Sequence, residues 1–313
     1  MTNFTVFLSA EGFQAELLSE LAYEKIPVVK IIERLVITEP SAYQAAWAQN
    51  MWTDASEIVF DSIQNGAKEL RSRAPWWTNY PLTNFRRAQL IQAALPKFKN
   101  PPLGFPPQSG GLSQRNSPLA AWSLLAPGLI LASARCSHPY PHGEVSFVEN
   151  KVTPPSRAYL KLWELFSVYG FKPGENERVV DMGSSPGGWT WVLQQLGCDV
   201  LSVDRADLDA KIAALPRITC VRQNAFSIKP EDIGAVDWFF SDIICEPAKL
   251  LQMVRQWQAS GLCSRFVCTL KFKGVTDHVT ARAFAAIPDS RLVHLFHNKH
   301  ELTWFCGPDL VKN

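Results

Sequence analysis

The chain has little of what marks a secreted, membrane-bound or metal-dependent protein. Its seven cysteines are scattered without a C-x-x-C pair, which points to a reducing compartment rather than a disulfide framework. Cys263 and Cys268 are the nearest pair, and no histidine follows at a ligand spacing, so no metal is expected. His138 and His142 lie four apart, but Pro139 and Pro141 between them forbid the helical turn that would make them a ligand pair. The opening MTNFTVFLSAEGF lacks a basic run and reaches Glu11 too soon for a secretory signal. No uncharged apolar run approaches the roughly 20 residues of a membrane span. A cytoplasmic protein with no membrane partner, and no evident obligate protein partner, is the expectation.

Charge is also sparse: 19% of the 313 residues are Asp, Glu, Lys or Arg, and the net charge is +2. That balance hides an asymmetry, because residues 71–143 contain no acid at all. Arg71, Arg73, Arg86, Arg87, Lys97, Lys99, Arg115 and Arg135 give that stretch a charge of +8, which leaves −6 for the rest of the chain. Trp76, Trp77, Tyr80, Phe85 and Phe98 are interleaved with these cations, and the Pro/Gly-rich NPPLGFPPQSGG follows. Cations for phosphates and rings for exposed bases suit RNA. The alternative is that the aromatics pack a small core while the arginines solvate it. Asn100 to Ser117 reads as a loop or long crossing.

What is there is organised around residues 178–204, RVVDMGSSPGGWTWVLQQLGCDVLSVD. An apolar strand ends in Asp181, a glycine turn follows, Trp189, Val192, Leu193 and Leu196 give a helix its buried stripe, and a second strand closes on Asp204. This is half of a doubly wound sheet with a ligand crevice at its carboxyl edge. A dinucleotide site would carry G-x-G-x-x-G across the turn, whereas the spacing here is D-x-G-x-x-x-G-G. An ammonium-bearing nucleoside such as S-adenosylmethionine (SAM) fits better. Asp181 would orient its amino-acid end, Asp204 its ribose hydroxyls, and Gly183, Ser184, Ser185, Pro186, Gly187, Gly188 and Trp189 would form the wall.

Before that motif, strand-like Phe4 to Leu8, helix-like Phe13 to Ala22, one or two strands over Val28 to Ile37, a helix over Ala42 to Met51 and a strand over Ile58 to Ile63 suggest a small α+β module. Trp122 to Ala134 reads as a helix or a strand. After the motif, alternating strands and helices bring the total to roughly seven strands. The expected fold is α/β: a Rossmann-like SAM-dependent methyltransferase sheet over residues 151–313, preceded by an α+β module (1–70) and a basic RNA-binding region and linker (71–150).

The sheet's carboxyl edge collects Asp181, Asp204, Asn224, Asp242 and Lys271, with Lys161 on the preceding helix and Glu301 on a final hairpin. Methyl transfer to a ribose hydroxyl needs a base near that oxygen, because a sugar hydroxyl is a poor nucleophile at neutral pH. Lys271 is the expected base, with Asp242 and Glu301 orienting it and Lys161 positioning ribose or phosphate. Amino-methylating enzymes often carry Asn/Asp-Pro-Pro-aromatic after the fourth strand, where this chain has Ser241-Asp242-Ile243-Ile244. A cytosine-carbon enzyme needs a cysteine nucleophile, and no Pro-Cys element accompanies Cys245.

These motifs resemble those of the FtsJ-like 2'-O-ribose methyltransferases. SRAYLKLWE is similar to the family's lysine-bearing helix, VVDMGSSPGGWT to its SAM-binding turn, and FFSDIICEP, CTLKFK and NKHELTWF to the segments bearing the other members of a Lys-Asp-Lys-Glu tetrad. The resemblance implies catalytic roles for Lys161, Asp242, Lys271 and Glu301, and SAM as cofactor. Further likeness in DIICEPAKLLQMVRQWQASGLC and in TVFLSAEGFQAELLSELA is to members that act on cytidine in large-subunit ribosomal RNA. It implies a ferredoxin-like start, a divergent THUMP-like RNA-binding region, and that RNA or its precursor as partner. Where the family commonly has Asp to bind the adenine amino group, this chain has Asn224, whose side-chain oxygen can accept the same bond. A noncatalytic RNA-binding or ribosome-assembly factor, and a small-molecule O-methyltransferase, are the competing readings.

Overall fold

A computed structural model describes residues 3–105 and 119–311. The chain divides into two units, Met1–Phe147 and Val148–Asn313. Among the described residues no helix is long and apolar enough to cross a membrane.

The first unit contains β1 (Asn3–Ser9), α1 (Gln14–Tyr23), β2 (Val28–Ile32), β3 (Leu35–Thr38), β4 (Ala48–Val59), α2 (Ile63–Arg71), β5 (Trp77–Asn79), α3 (Phe85–Ala93), β6 (Ala120–Ala126), β7 (Leu129–Ser133) and β8 (Arg135–Cys136). Their strands form one sheet in the order β2-β3-β1-β4-β7-β6-β5, with β8 on β4. Strands from both sides of residue 70 therefore share one sheet.

Three expectations change here. Residues 58–63 are not a separate strand: Ile58 and Val59 end β4, and Ser62 caps α2, which starts at Ile63. Residues 42–47 are not helical: the buried Glu20 carboxylate accepts the backbone N–H of Ala46 (2.7 Å) and Trp47 (2.9 Å) and the Tyr43 hydroxyl (2.8 Å), and β4 starts at Ala48. A tertiary contact to a buried acid thus outweighs local helix propensity. Trp122 to Ala134 resolves as a hairpin, turned by Pro127-Gly128, with Gly128 O accepting Phe60 N–H at 3.0 Å. Trp77, Trp122, Leu70 and Ile91 fill the core beside α2 and α3.

The second unit contains α4 (Tyr159–Tyr169), β9 (Arg178–Met182), α5 (Gly188–Gln195), β10 (Asp199–Asp204), α6 (Ala210–Ala213), β11 (Ile218–Arg222), α7 (Pro230–Ile233), β12 (Trp238–Ser241), α8 (Pro247–Ser260), β13 (Phe266–Lys271), α9 (His278–Ala285), β14 (Ser290–Val293) and β15 (Glu301–Cys306). Seven strands pair in the order β11-β10-β9-β12-β13-β15-β14. β9 to β13 are mutually parallel, and β15 runs antiparallel to both its neighbours. Near-continuous apolar runs such as Phe239-Phe240 and Val267-Cys268 match a sheet buried on both faces. The strand order reverses between β9 and β12, and ligands bind at such switch points beyond the carboxyl ends.

Candidate active site

The crevice at that switch point is a cavity of about 390 Å³, within the range of small-ligand sites. It is lined by Asp181, Gly183, Ser184, Ser185, Pro186, Gly188, Trp189, Asp204, Asn224, Asp242 and Lys271. Every residue expected to face a cofactor is therefore there except Gly187. That glycine has φ +112° and sits against Ile212, where a Cβ would approach to 3.0 Å. Gly183 is more constrained: with φ +79°, an added Cβ would lie 2.6 Å from Cβ of Ile243. Ser156, Arg205, Phe226, Ile243 and Ile244 also line the cavity. Sequence reasoning missed them. Arg205 and Ile243 immediately follow named strand-end acids, which was the available signal.

Asp181 lies at the cavity floor, fully buried. One of its oxygens accepts the Thr190 hydroxyl at 2.7 Å, and the other, Oδ1, has no hydrogen-bond partner among the described residues. Burial pushes its pKa up to about 7, with Asp242 and Asp204 adding to the rise and the Thr190 hydrogen bond opposing it. A buried acceptor left unsatisfied costs free energy, so Oδ1 suits an incoming donor such as an ammonium. Asp204 accepts backbone N–H groups of Ser185 (3.1 Å) and Ala206 (2.9 Å), which fixes its carboxylate at the rim. Asn224 Oδ1 accepts Phe226 N–H at 3.2 Å, so its oxygen already serves one bond within its own turn.

Four charged side chains meet beside the cavity. Lys161 Nζ lies 2.6 Å from Asp242 Oδ1 and 3.1 Å from Glu301 Oε1. Lys271 Nζ lies 3.1 Å from that same Asp242 oxygen and donates to the Asp242 carbonyl at 2.6 Å. The sheet brings three of the four together, since β12 pairs with β13 and Lys271 stands opposite Glu301 in the β13–β15 register, and α4 supplies Lys161. Burial works to lower the Lys161 pKa, but Asp242 and Glu301 outweigh it and the net shift is upward. Burial likewise raises Asp242, and the two lysines more than reverse it, so its carboxyl is held below the usual range. Lys161 also lies 5.7 Å from the Trp189 ring centroid. Lys271 lines the cavity, whereas Lys161 stands behind Asp242 with a side chain 7% exposed.

Four arginines of the basic region hold other groups of the first unit. Arg71 donates to the Ala94 carbonyl (3.2 Å) and Arg73 to the Ser56 hydroxyl (3.1 Å). Arg87 donates to the Asp61 carbonyl (3.3 Å), and Arg135 pairs with Asp54 (3.2 Å). Arg86, Lys97 and Lys99 are exposed, and Phe85, next to Arg86 in the chain, is 59% exposed. Arg115 and most of the Asn100–Ser117 loop lie outside the described residues. Trp77 is not a stacking platform: it is fully buried, and its indole donates to the Ala74 carbonyl.

A Rossmann-like sheet with its last strand inserted antiparallel, a glycine-walled crevice ending in a buried acid, and a Lys-Asp-Lys-Glu cluster define a methyltransferase-type α/β domain. The chain belongs to the FtsJ-like methyltransferase family, whose sequence profile matches residues 154–310, half of its length. It is similar to ribosomal RNA large subunit methyltransferase M of Marinobacter nauticus, with 30% identity over 57% of this chain and 53% of that protein. The protein of the same name from Alkalilimnicola ehrlichii is 35% identical over 45% of this chain and 40% of its own length. That from Pasteurella multocida is 26% identical over 56% and 55%. The chain spans about half the length of the curated relatives it matches.

Proposed function

We propose that the protein transfers a methyl group from SAM to a ribose 2'-hydroxyl of RNA, a cytidine in large-subunit ribosomal RNA or its precursor, in the cytoplasm. The observation that carries this reading is the cluster in which two lysines share one oxygen of Asp242 at the edge of a cofactor-sized cavity. The cavity residues fit the cofactor's chemistry: Asp181 Oδ1 would hold the amino-acid end, and Asp204 and Asn224 the nucleoside end. When bound, SAM supplies an electrophilic methyl on a sulfonium.

Lys271 acts as the base. With both lysines protonated, the four side chains carry no net charge. Lys161, held by two carboxylates, keeps its proton, so the lysine that first gives one up to solvent is Lys271, which lines the cavity. Neutral Lys271 then accepts the hydroxyl proton, and Asp242 holds the resulting ammonium. The first unit recruits RNA by its basic surface, through a THUMP-like region, with Arg86, Lys97, Lys99 and Phe85 the groups exposed to do so.

The test is transfer of labelled methyl from SAM to RNA that lacks its native modifications, with products digested to nucleosides. Wild type should yield 2'-O-methylcytidine, and Lys271→Met should lower turnover about 100-fold or more while SAM and RNA still bind. Near-wild-type turnover by that variant would remove Lys271 as base. Absence of transfer despite binding of both ligands would favour an assembly factor that keeps the fold.

A further inference from the structure

One turn of α4 beyond Lys161, a second charged residue faces the same connection. Glu164 is 1% exposed, and its carboxylate accepts three hydrogen bonds from the loop between β14 and β15. Phe296 N–H reaches Oε1 at 2.7 Å, His297 N–H reaches Oε2 at 3.0 Å, and Nδ1 of the His297 ring lies 2.7 Å from Oε2. Residues three apart on a helix lie on neighbouring turns of one face. Lys161 and Glu164 therefore grip the two ends of a single segment: Glu164 holds residues 296–297 and Lys161 holds Glu301.

The segment between those grips is internally locked. Asn298 N–H donates to the Leu295 carbonyl at 2.9 Å, and the Asn298 amide donates to the Glu301 carbonyl at 3.2 Å and to Thr303 Oγ1 at 3.1 Å. Lys299 N–H reaches Glu301 Oε1 at 3.3 Å. A displacement at 296–297 is thus passed to Glu301 rather than absorbed by the loop.

We propose that Glu164 and His297 are positioning residues for methyl transfer, a clamp that sets Glu301 against Lys161 and so holds Lys161 on Asp242. The proposal rests on the functional reading of the four-residue cluster above. Neither residue touches substrate in this scheme. Both act through Glu301, and reactivity is sensitive to displacements on the order of 1 Å at such a site.

The experiment compares kcat, KM for SAM and for RNA, and the thermal midpoint across a set of variants. Glu164→Gln keeps the shape but turns a donor toward backbone N–H groups, and should lower kcat about tenfold or more with both KM values within about twofold of wild type. His297→Asn places an amide N–H near the position of the imidazole Nδ1 and should keep most of the turnover, whereas His297→Ala should lose it. His297→Ala leaves the backbone donors in place, so it keeps the proposal testable if Glu164→Gln folds poorly. On top of Glu301→Gln, Glu164→Gln should add no further loss, because the two act through one group.

Losses that multiply in the double variant, or Glu164→Gln and His297→Ala proteins with kcat within twofold of wild type, would overturn the clamp while leaving the site intact. A Glu301→Gln protein with wild-type kcat would remove Glu301 from the reaction, and the clamp with it, whereas a wild-type protein that binds both ligands and transfers no methyl would overturn the functional reading. The two failures are thereby told apart.

Discussion

Replacing Asp181 by asparagine should flatten the dependence of stability on pH. The Asp181 carboxyl is raised from its ordinary 3.8 to about 7, first by burial, then by Asp242 and Asp204 against the opposing Thr190 hydrogen bond. Between those two values the folded protein binds a proton that the unfolded chain has released. This contribution is therefore fully present below about pH 4 and lost as pH rises through about 7. Three units correspond to about 4 kcal/mol in all, of which roughly 2–3 kcal/mol falls between pH 5 and pH 8. The asparagine of an Asp181→Asn protein has no proton to lose, and its amide oxygen can still accept the Thr190 hydroxyl. Chemical denaturation of both proteins without cofactor, at pH 5 and at pH 8, should show the variant gaining about 2–3 kcal/mol on wild type across that interval. A stability gap equal at the two pH values, within about 0.5 kcal/mol, would refute the account, because it would mean that Asp181 is already ionised in the folded protein at pH 5.

Two further outcomes are expected. Gly183→Ala places a Cβ 2.6 Å from Cβ of Ile243 and 2.9 Å from its Cα, at φ +79°, and should cost about 1–3 kcal/mol with loss of cofactor affinity, read by thermal unfolding and by equilibrium dialysis with SAM. Arg86→Glu with Lys97→Glu should weaken RNA binding and reduce the slope of log K against log salt by roughly 0.7 for each phosphate no longer neutralised, with SAM affinity unchanged. An unaltered slope would place the RNA surface elsewhere.

Strand ends were legible where buried runs stop at a polar residue. Phe239-Phe240-Ser241 running into Asp242, and Val267 to Leu270 running into Lys271, announce their own carboxyl edge. Which atoms meet there was not legible: that both lysines converge on one oxygen of Asp242 depends on the β13–β15 register and on where α4 lies. Trp77 shows another limit. Between Pro75 and Pro81 no periodicity tells which of two adjacent indoles points inward. The parallel pairing of β5 with β6 decides it. Residues 42–47 read as helix because alanine favours helices, and only the distant Glu20 carboxylate says otherwise. Glu164 looks in the sequence like any helix acid, since its partners lie more than 130 residues away.

The place of β15 in the sheet gives the candidate site an order in time. The strand that carries Glu301 is later in sequence than both β13 and β14, yet lies between them. A chain emerging from the ribosome can set Lys161, Asp242 and Lys271 in place first, with two cations on one carboxylate. Only when β15 slides into the gap does Lys161 gain its second acid and Lys271 its opposite number. Every residue lining the crevice thus precedes Glu301 in the chain, so synthesis supplies the cavity wall before it supplies the fourth member of the cluster.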